Sequence, residues 1–313
     1  TTGSYYTRPD LVNELIKSAL IPVIKERLKK NSGNREAQEE SLLSLKVCDP
    51  AAGSGHMILA AARTIAWELA CIRSGESNPA PSVYRTCLRE TIQHCVYAVD
   101  MNPDAVELCK LSLWLESHNS GKPISFLNHK IRCGNSLVGV TDLSVLKNGI
   151  PDDAFNPVTG DEKEVCRELK RANAAFLKTG QFSLFDNENQ EYEIKNFSSE
   201  YSGLEKIRQD DLDTVKQVKT RFETFRRDQH WLNEWTACNI WTSAFFYTYT
   251  NESRQSAPST ERLQIFLQRP AAAYGPMVGK ANAAALEHRF FHWPLEFPDV
   301  FAQGGFDVML GNP

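Results

Sequence analysis

The chain reads Leu45-Lys46-Val47-Cys48-Asp49-Pro50-Ala51-Ala52-Gly53-Ser54-Gly55-His56, followed to Arg73 by a stretch rich in Ala, Leu and Ile with no Gly or Pro. The apolar run predicts a strand that stops at Asp49-Pro50, the glycines a turn, and the stretch after them a buried helix. Strand, glycine turn and helix are the first half of a βαβ unit. The rhythm returns downstream. His94–Val99 predicts a second strand ended by Asp100, Asn102-Pro103 open a helix to about Ser117, and His129–Cys133 predicts a third strand ended by Gly134-Asn135-Ser136. Strands alternating with helices predict an α/β protein with a parallel, doubly wound sheet.

Upstream, Leu11, Leu15, Ala19, Val23 and Ile24 recur near helical spacing, which predicts a helix from Pro9 to Lys30 with Thr7 as its N-cap. Residues 31–41 are polar and read as a connection, and 83–93 as a further helix. From 141 to 290 the rhythm breaks. Val165, Leu169, Ala172 and Phe176, then Val215, Val218, Phe222 and Phe225, form two helical stripes, so a mainly helical insertion with an antiparallel hairpin over about 161–228 is expected. An aromatic-dense stretch (231–249) and a helix at 261–268 follow. Phe306–Leu310 predicts a last strand, ending in Gly311-Asn312-Pro313. The expected division is a core of 1–140, an insertion of 141–290, and a returning core segment of 291–313.

The chain has 313 residues, 42% of them hydrophobic and 24% charged, a balance that excludes disorder and fibrous classes. Its 35 Lys and Arg against 39 Asp and Glu give a formal charge of -4, so no global positive field advertises nucleic acid, and any DNA-binding surface is local. The eight Cys show no metal-ligand spacing, which predicts reduced thiols, a cytoplasmic setting and no metal. No apolar stretch approaches the roughly 20 residues of a membrane span, so a soluble protein without membrane contact is expected.

Gly53 and Gly55 let backbone approach a ligand closely, and the helix starting at His56 aims its amides at that place. A dinucleotide site prefers G-x-G-x-x-G with an acid about 20 residues later. Here Asp49 precedes the glycines, where it repels a diphosphate and attracts a cation. S-adenosylmethionine carries a sulfonium and an ammonium, and its ribose hydroxyls suit a carboxylate such as Asp100. The plain alternative is a turn that only connects. Asn312-Pro313 places an amide at a strand end, where the plain alternative is again a turn. Asp49, Asp100, Asn135 and Asn312 would then converge at the strand ends.

Together these residues resemble the N6-adenine DNA methyltransferases in which the cofactor motifs precede the catalytic one, of the large single-chain type found in restriction-modification and phage-defence systems. Gly3-Ser-Tyr-Tyr6-Thr7 with Arg8-Pro9 looks like their N-terminal cofactor motif, Asp49-Pro-Ala-Ala-Gly-Ser-Gly55 like D-P-A-C-G-S-G, and Val99-Asp100-Met101-Asn102-Pro103 like the ribose-binding segment. Cys133-Gly-Asn135-Ser136-Leu137 looks like G-D/N-S-L, and Gly311-Asn312-Pro313 like the start of N-P-P-[YFW]. The resemblance implies a Rossmann-like S-adenosylmethionine-dependent methyltransferase fold, with the last strand beside the first and an unpaired edge. It implies cofactor binding by Tyr6, Thr7, Asp49, Ala51, Gly53, Gly55, Asp100, Met101, Asn135 and Ser136, with Asn312 and Pro313 catalytic. Adenine would be flipped from double-stranded DNA, with its N6 hydrogens accepted by the Asn312 side chain and the Pro313 carbonyl. The chain departs from the pattern at Ala52, at Arg8 between Thr7 and Pro9, and at Asn135. It also lacks the second Pro and the aromatic of the last motif, and no target-recognition domain is legible. A catalytic-domain fragment without activity of its own is therefore expected, with DNA recognised through a domain absent here and a nuclease or helicase partner left open.

Other features read more simply. His288 and His292 lie four apart, but no Glu or Cys completes a metal site. The aromatics from Trp231 to Tyr249 read as core before base-stacking platform, and Lys29-Lys30 and Arg226-Arg227 as solvated helix faces. Competing functions are methylation of protein glutamine and a catalytically silent cofactor-binding module of a defence complex. A nicotinamide dehydrogenase fits the glycine pattern poorly.

Overall fold

The computed structural model describes residues 7–179 and 197–312. Two compact units divide the chain: one of Thr1–Ser136, Phe197–Thr224 and Phe297–Pro313, the other of Leu137–Asn196 and Phe225–Glu296.

In the first unit the elements run α1 (Pro9–Leu15), α2 (Ile21–Lys30), α3 (Arg35–Leu43), β1 (Val47–Asp49), α4 (His56–Ser74), α5 (Pro81–His94), β2 (Val96–Asp100), α6 (Pro103–Glu116) and β3 (Ile131–Cys133), with β4 (Val308–Met309) returning from far along the chain. The strands form one all-parallel sheet in the order β3-β2-β1-β4. The last strand does pair with the first, Val47 opposite Val308 and Cys48 opposite Met309. β1 and β2 are buried at every position but Asp100, as expected of parallel strands covered on both faces. α4 contributes Ile58, Ala61, Ala62, Ile65, Ala66 and Leu69, all fully buried, to the core under the sheet. Each fully buried Ile or Leu stabilises the unit by about 1.5–3 kcal/mol. Gly75, left-handed at φ 73°, ends that helix with its amide on the Cys71 carbonyl.

A buried charged cluster stands at the amino ends of the strands. Glu205, ending the helix Ser198–Glu205, accepts from Lys130 Nζ at 2.7 Å and lies 3.4 Å from His129 Nε2 and 3.5 Å from His94 Nδ1. Lys130 also donates to the Tyr97 hydroxyl, which donates to Asp299. Asp307 accepts the Lys46 amide at 2.8 Å and pairs with Arg27 of α2, tying the start of β4 to β1.

Several expectations need correction. The helix from Pro9 to Lys30 forms, but with a π-helical segment at Ile16–Leu20 between α1 and α2. Pro22 lacks an N–H and its ring crowds the carbonyl four residues back, which is where the wider turn relieves it. The buried stripe is Val12, Ile16, Leu20 and Ile24: Ile24 is buried as expected, but the others lie one residue on from Leu11, Leu15 and Ala19, and Leu11 is exposed. Arg8, not Thr7, takes the N-cap position, with no side-chain cap. The polar connection at 31–41 contains α3. Asn34 caps it by accepting the Ala37 amide at 3.1 Å, Glu36 lies in its first turn, and Leu42 is buried.

The helices of the expected hairpin, Lys163–Thr179 and Leu212–Arg226, are grouped differently. The first lies in the second unit, where Asn173 donates to the Ile150 carbonyl at 2.9 Å and accepts the Thr260 amide at 3.0 Å. Most of the other lies in the first unit, where Phe222 packs against Phe126 and Tyr201. Both helices are amphipathic, and an amphipathic stripe names a buried face without naming its partner.

The second unit also holds the helices Gln229–Ser243, Thr260–Gln268 and Gly275–Glu287. Its core includes Trp231 and Tyr249, while Phe245 and Phe246 of the same aromatic stretch are exposed. His292 is buried, accepts the Val140 amide at Nδ1 and meets Asn239 Oδ1 through Nε2 at 2.8 Å. Burial pushes its pKa down to about 3, although Glu296 opposes this, so the ring is neutral. Among the described residues no helix is long and apolar enough to cross a membrane.

Candidate active site

The strand order reverses at β1. The chain moves from β1 to β2 and β3 on one side, and β4 lies on the other. A crevice opens at the carboxyl ends of strands at such a switch, and there α/β sheets bind ligands. The turn after β1 and the residues after β4 flank this place.

Asp49 ends β1, only 2% exposed, and its Oδ1 accepts the Ala51 amide at 3.0 Å. The turn is then fastened to the neighbouring strand, with the Ala52 amide donating to the Val99 carbonyl at 3.0 Å. Asp100, at the end of β2, accepts the Gly53 amide through Oδ2 and the Asn102 amide through Oδ1, both at 2.7 Å. Its carbonyl accepts from Gly134 at 2.9 Å, which brings the turn carrying Asn135 and Ser136 alongside. One aspartate thus ties together the loops after β1, β2 and β3.

Gly53 and Gly55 are both left-handed, at φ 53° and 83°. A Cβ on Gly55 would sit 2.6 Å from the Cys109 sulfur of α6, so this glycine lets the turn lie on the helix. A Cβ on Gly53 would meet nothing within 4 Å, so that side of the turn is open. On the other flank the Leu310 amide donates to the Cys48 carbonyl at 2.8 Å, and a Cβ on Gly311 would come to 3.2 Å from Pro50 Cδ and 3.5 Å from Asp49 Oδ1. Asn312 follows directly. Its Nδ2 donates to Thr7 Oγ1 at 3.4 Å, bringing opposite ends of the chain together over the switch point.

The electrostatics favour a cation. Burial pushes the Asp49 carboxyl up to about 7. The Ala51 amide opposes that rise and the nearby Asp100 charge adds to it. The same two acids add to the burial that pushes the Cys109 thiol up to about 12. A positively charged ligand here would stabilise ionised Asp49.

Of the residues singled out from sequence, Thr7, Asp49, Ala51, Gly53, Gly55, Asp100 and Asn312 gather around this crevice. Met101 is half exposed next to Asp100, and Asn135 and Ser136 follow β3. Tyr6 and Pro313 lie outside the described residues. Sequence reasoning missed Asn102 as a clamp on Asp100. The signal was present, since an Asn before Pro at a helix start is an N-cap whose amide faces back to the strand end. The close approaches of Cys109 to Gly55 and of Pro50 to Gly311 have no sequence signal. Among the described residues no cluster of His, Cys, Asp or Glu could hold a metal ion.

The chain is 22% identical over 365 residues to a protein of Methanocaldococcus jannaschii described as "Putative type II restriction enzyme and methyltransferase", a match that takes in 99% of the chain and 28% of that relative. The chain therefore spans little more than a quarter of that relative's length. No solved structure matches it. Residues 94–313, which carry β2, β3 and β4 together with Asp100 and Asn312, match the family described as Eco57I restriction-modification methylase. On a match of that extent, the chain belongs to the Eco57I restriction-modification methylase family.

Proposed function

We propose that the crevice at the switch point binds S-adenosylmethionine, within a Rossmann-like methyltransferase fold, and that the protein methylates adenine N6 in DNA. The observation that carries this reading is the pairing of a buried, raised Asp49 with an Asp100 clamped on the glycine turn. The two acids leave negative charge where a cation fits and an open face over Gly53. A dinucleotide would bring negative charge to the same place. When bound, S-adenosylmethionine supplies a methyl group on a positively charged sulfur.

The residues then divide the work. Asp49 offers its charge to the cationic part of the cofactor. Asp100 keeps lone pairs beyond those used by Gly53 and Asn102, which suit ribose hydroxyls. Thr7 acts on Asn312. Because Asn312 Nδ2 donates to Thr7, the amide oxygen is left as the acceptor for an N6 hydrogen. That bond raises electron density at N6 and holds the amine in line for attack, so much of the rate comes from position. The amine keeps one hydrogen, and the proton it gives up leaves to water. The base must leave the helix to reach this amide.

The test is transfer of labelled methyl from S-adenosylmethionine to unmethylated duplex DNA by the full-length protein, followed by separation of the nucleosides. The label is expected in N6-methyldeoxyadenosine. Label in a methylated cytosine, or in protein glutamine, overturns the assignment.

A further inference from the structure

A cavity of about 400 Å³ lies in the first unit beside the last turns of α5, away from the glycine turn. Arg89 of α5 lines it and is 4% exposed. Its Nη2 donates to the Pro123 carbonyl at 2.8 Å and the Gln209 carbonyl at 2.9 Å. An arginine has five N–H donors in a fixed fork and stays charged, so Nε and Nη1 keep three more. Among the described residues these have no protein partner, and no carboxylate lies within 4 Å of the guanidinium.

The other cations on the wall are matched. Arg73 pairs with Glu39 at 2.8 Å and Glu90 at 2.7 Å, and Asp210 pairs with Lys122 at 2.5 Å and Arg208 at 3.3 Å. The lining thus holds four Lys and Arg against three acids, one positive charge in surplus, and Arg89 is the cation that has no carboxylate in contact. A buried charge with no carboxylate in contact is costly, and burial lowers the proton affinity of this guanidinium against the opposing charge of the more distant Asp210. An anion in the cavity removes that cost.

We propose that this cavity binds a small phosphate-bearing anion seated on Arg89. Lys122 lines the same space, and its ammonium keeps two hydrogens beyond the one on Asp210, so the cavity offers donors besides those of Arg89. A tetrahedral phosphate accepts from several directions at once, whereas a planar carboxylate serves one edge of the fork. The source is either inorganic phosphate or the phosphate of a nucleotide, and the volume admits both.

The experiment is calorimetric titration of the chain with inorganic phosphate, inorganic pyrophosphate and AMP, each at constant ionic strength, with succinate as the carboxylate comparison. Saturable binding of at least one phosphate probe, tenfold or more tighter than succinate, is expected. AMP binding more tightly than phosphate identifies a nucleotide, and equal binding identifies the free ion. Arg89→Gln should weaken binding at least tenfold. Because that change also removes the bonds to Pro123 and Gln209, Thr86→Phe serves as a second variant, filling the cavity while leaving those bonds in place. It should abolish binding with an unchanged circular dichroism spectrum. No saturable binding of any phosphate probe, succinate binding equally well, or unchanged binding by either folded variant overturns the proposal.

Discussion

Asp49 is the residue on which the electrostatics of the site turn. Its carboxyl ionises near 7 in the folded chain against 3.8 ordinarily, so folding favours its protonated form. The sign follows: ionised Asp49 destabilises the ligand-free fold above pH 7, and that penalty fades as pH falls toward 4. Asp49→Asn should therefore unfold at higher temperature than the unsubstituted chain at pH 8. The advantage, on the order of a few kcal/mol at 1.36 kcal/mol per unit, should shrink steadily on acidification in a pH series of melting curves. The same ionisation governs cation binding. Affinity for S-adenosylmethionine should rise as pH increases from 6 toward 7 and level off above it, and Asp49→Asn should flatten that profile. Gly55 is constrained twice, by φ 83° and by the Cys109 sulfur. Gly55→Ala should cost about 2–4 kcal/mol in urea unfolding, from left-handed strain plus overpacking. Asn312→Ala should lower methyl transfer by at least about 100-fold while leaving cofactor affinity unchanged, because it removes one oriented acceptor.

The elements show where sequence reasoning reaches and where it stops. β1, β2 and β3 were legible because each is a short apolar run ended by an acid or a glycine, and α4 because Ala, Leu and Ile fill it without interruption. α6 was legible from Asn102-Pro103. Its cap, Asn102 Oδ1 on the Asp104 amide at 3.0 Å, predicts that Asn102→Ala lowers stability by about 1 kcal/mol in thermal unfolding, while its own amide still serves Asp100. The first helix was legible as a helix but not in phase. Leu11, Leu15, Ala19 and Val23 share the spacing of Val12, Ile16, Leu20 and Ile24, and only the π-helical segment and the packing beneath it choose between the two series. α3 stayed hidden because a cap, an acidic first turn and one buried leucine hold it, with no long apolar stripe. At the site, the acids and glycines were legible as chemistry, whereas the Thr7 to Asn312 contact joins residues 305 positions apart and no local pattern carries it.

Across the whole molecule, the division into units follows contacts that periodicity does not record. The segment 197–224, expected in the insertion, joins the first unit, and Glu205 at the end of its helix reaches the charged cluster beneath the strands. Burial opposes ionisation of that carboxyl, yet Lys130, His129, His94 and Lys46 hold it well below the usual range. Its contribution to stability is present above the ordinary carboxylate pKa and is lost as pH falls below it. Glu205→Gln should leave Lys130 uncompensated and lower stability by roughly 3–5 kcal/mol, read as the urea midpoint at neutral pH. The far end of the same sheet carries the central claim, that Asp49, Asp100 and the glycine turn form a cofactor site. Calorimetric titration of the chain with S-adenosylmethionine, beside an Asp100→Ala variant shown by circular dichroism to be folded, tests it most directly. The account predicts binding by the unsubstituted chain and at least tenfold weaker binding by the variant, about 1.4 kcal/mol. No binding by the folded unsubstituted chain, or equal affinity in the two, would contradict it.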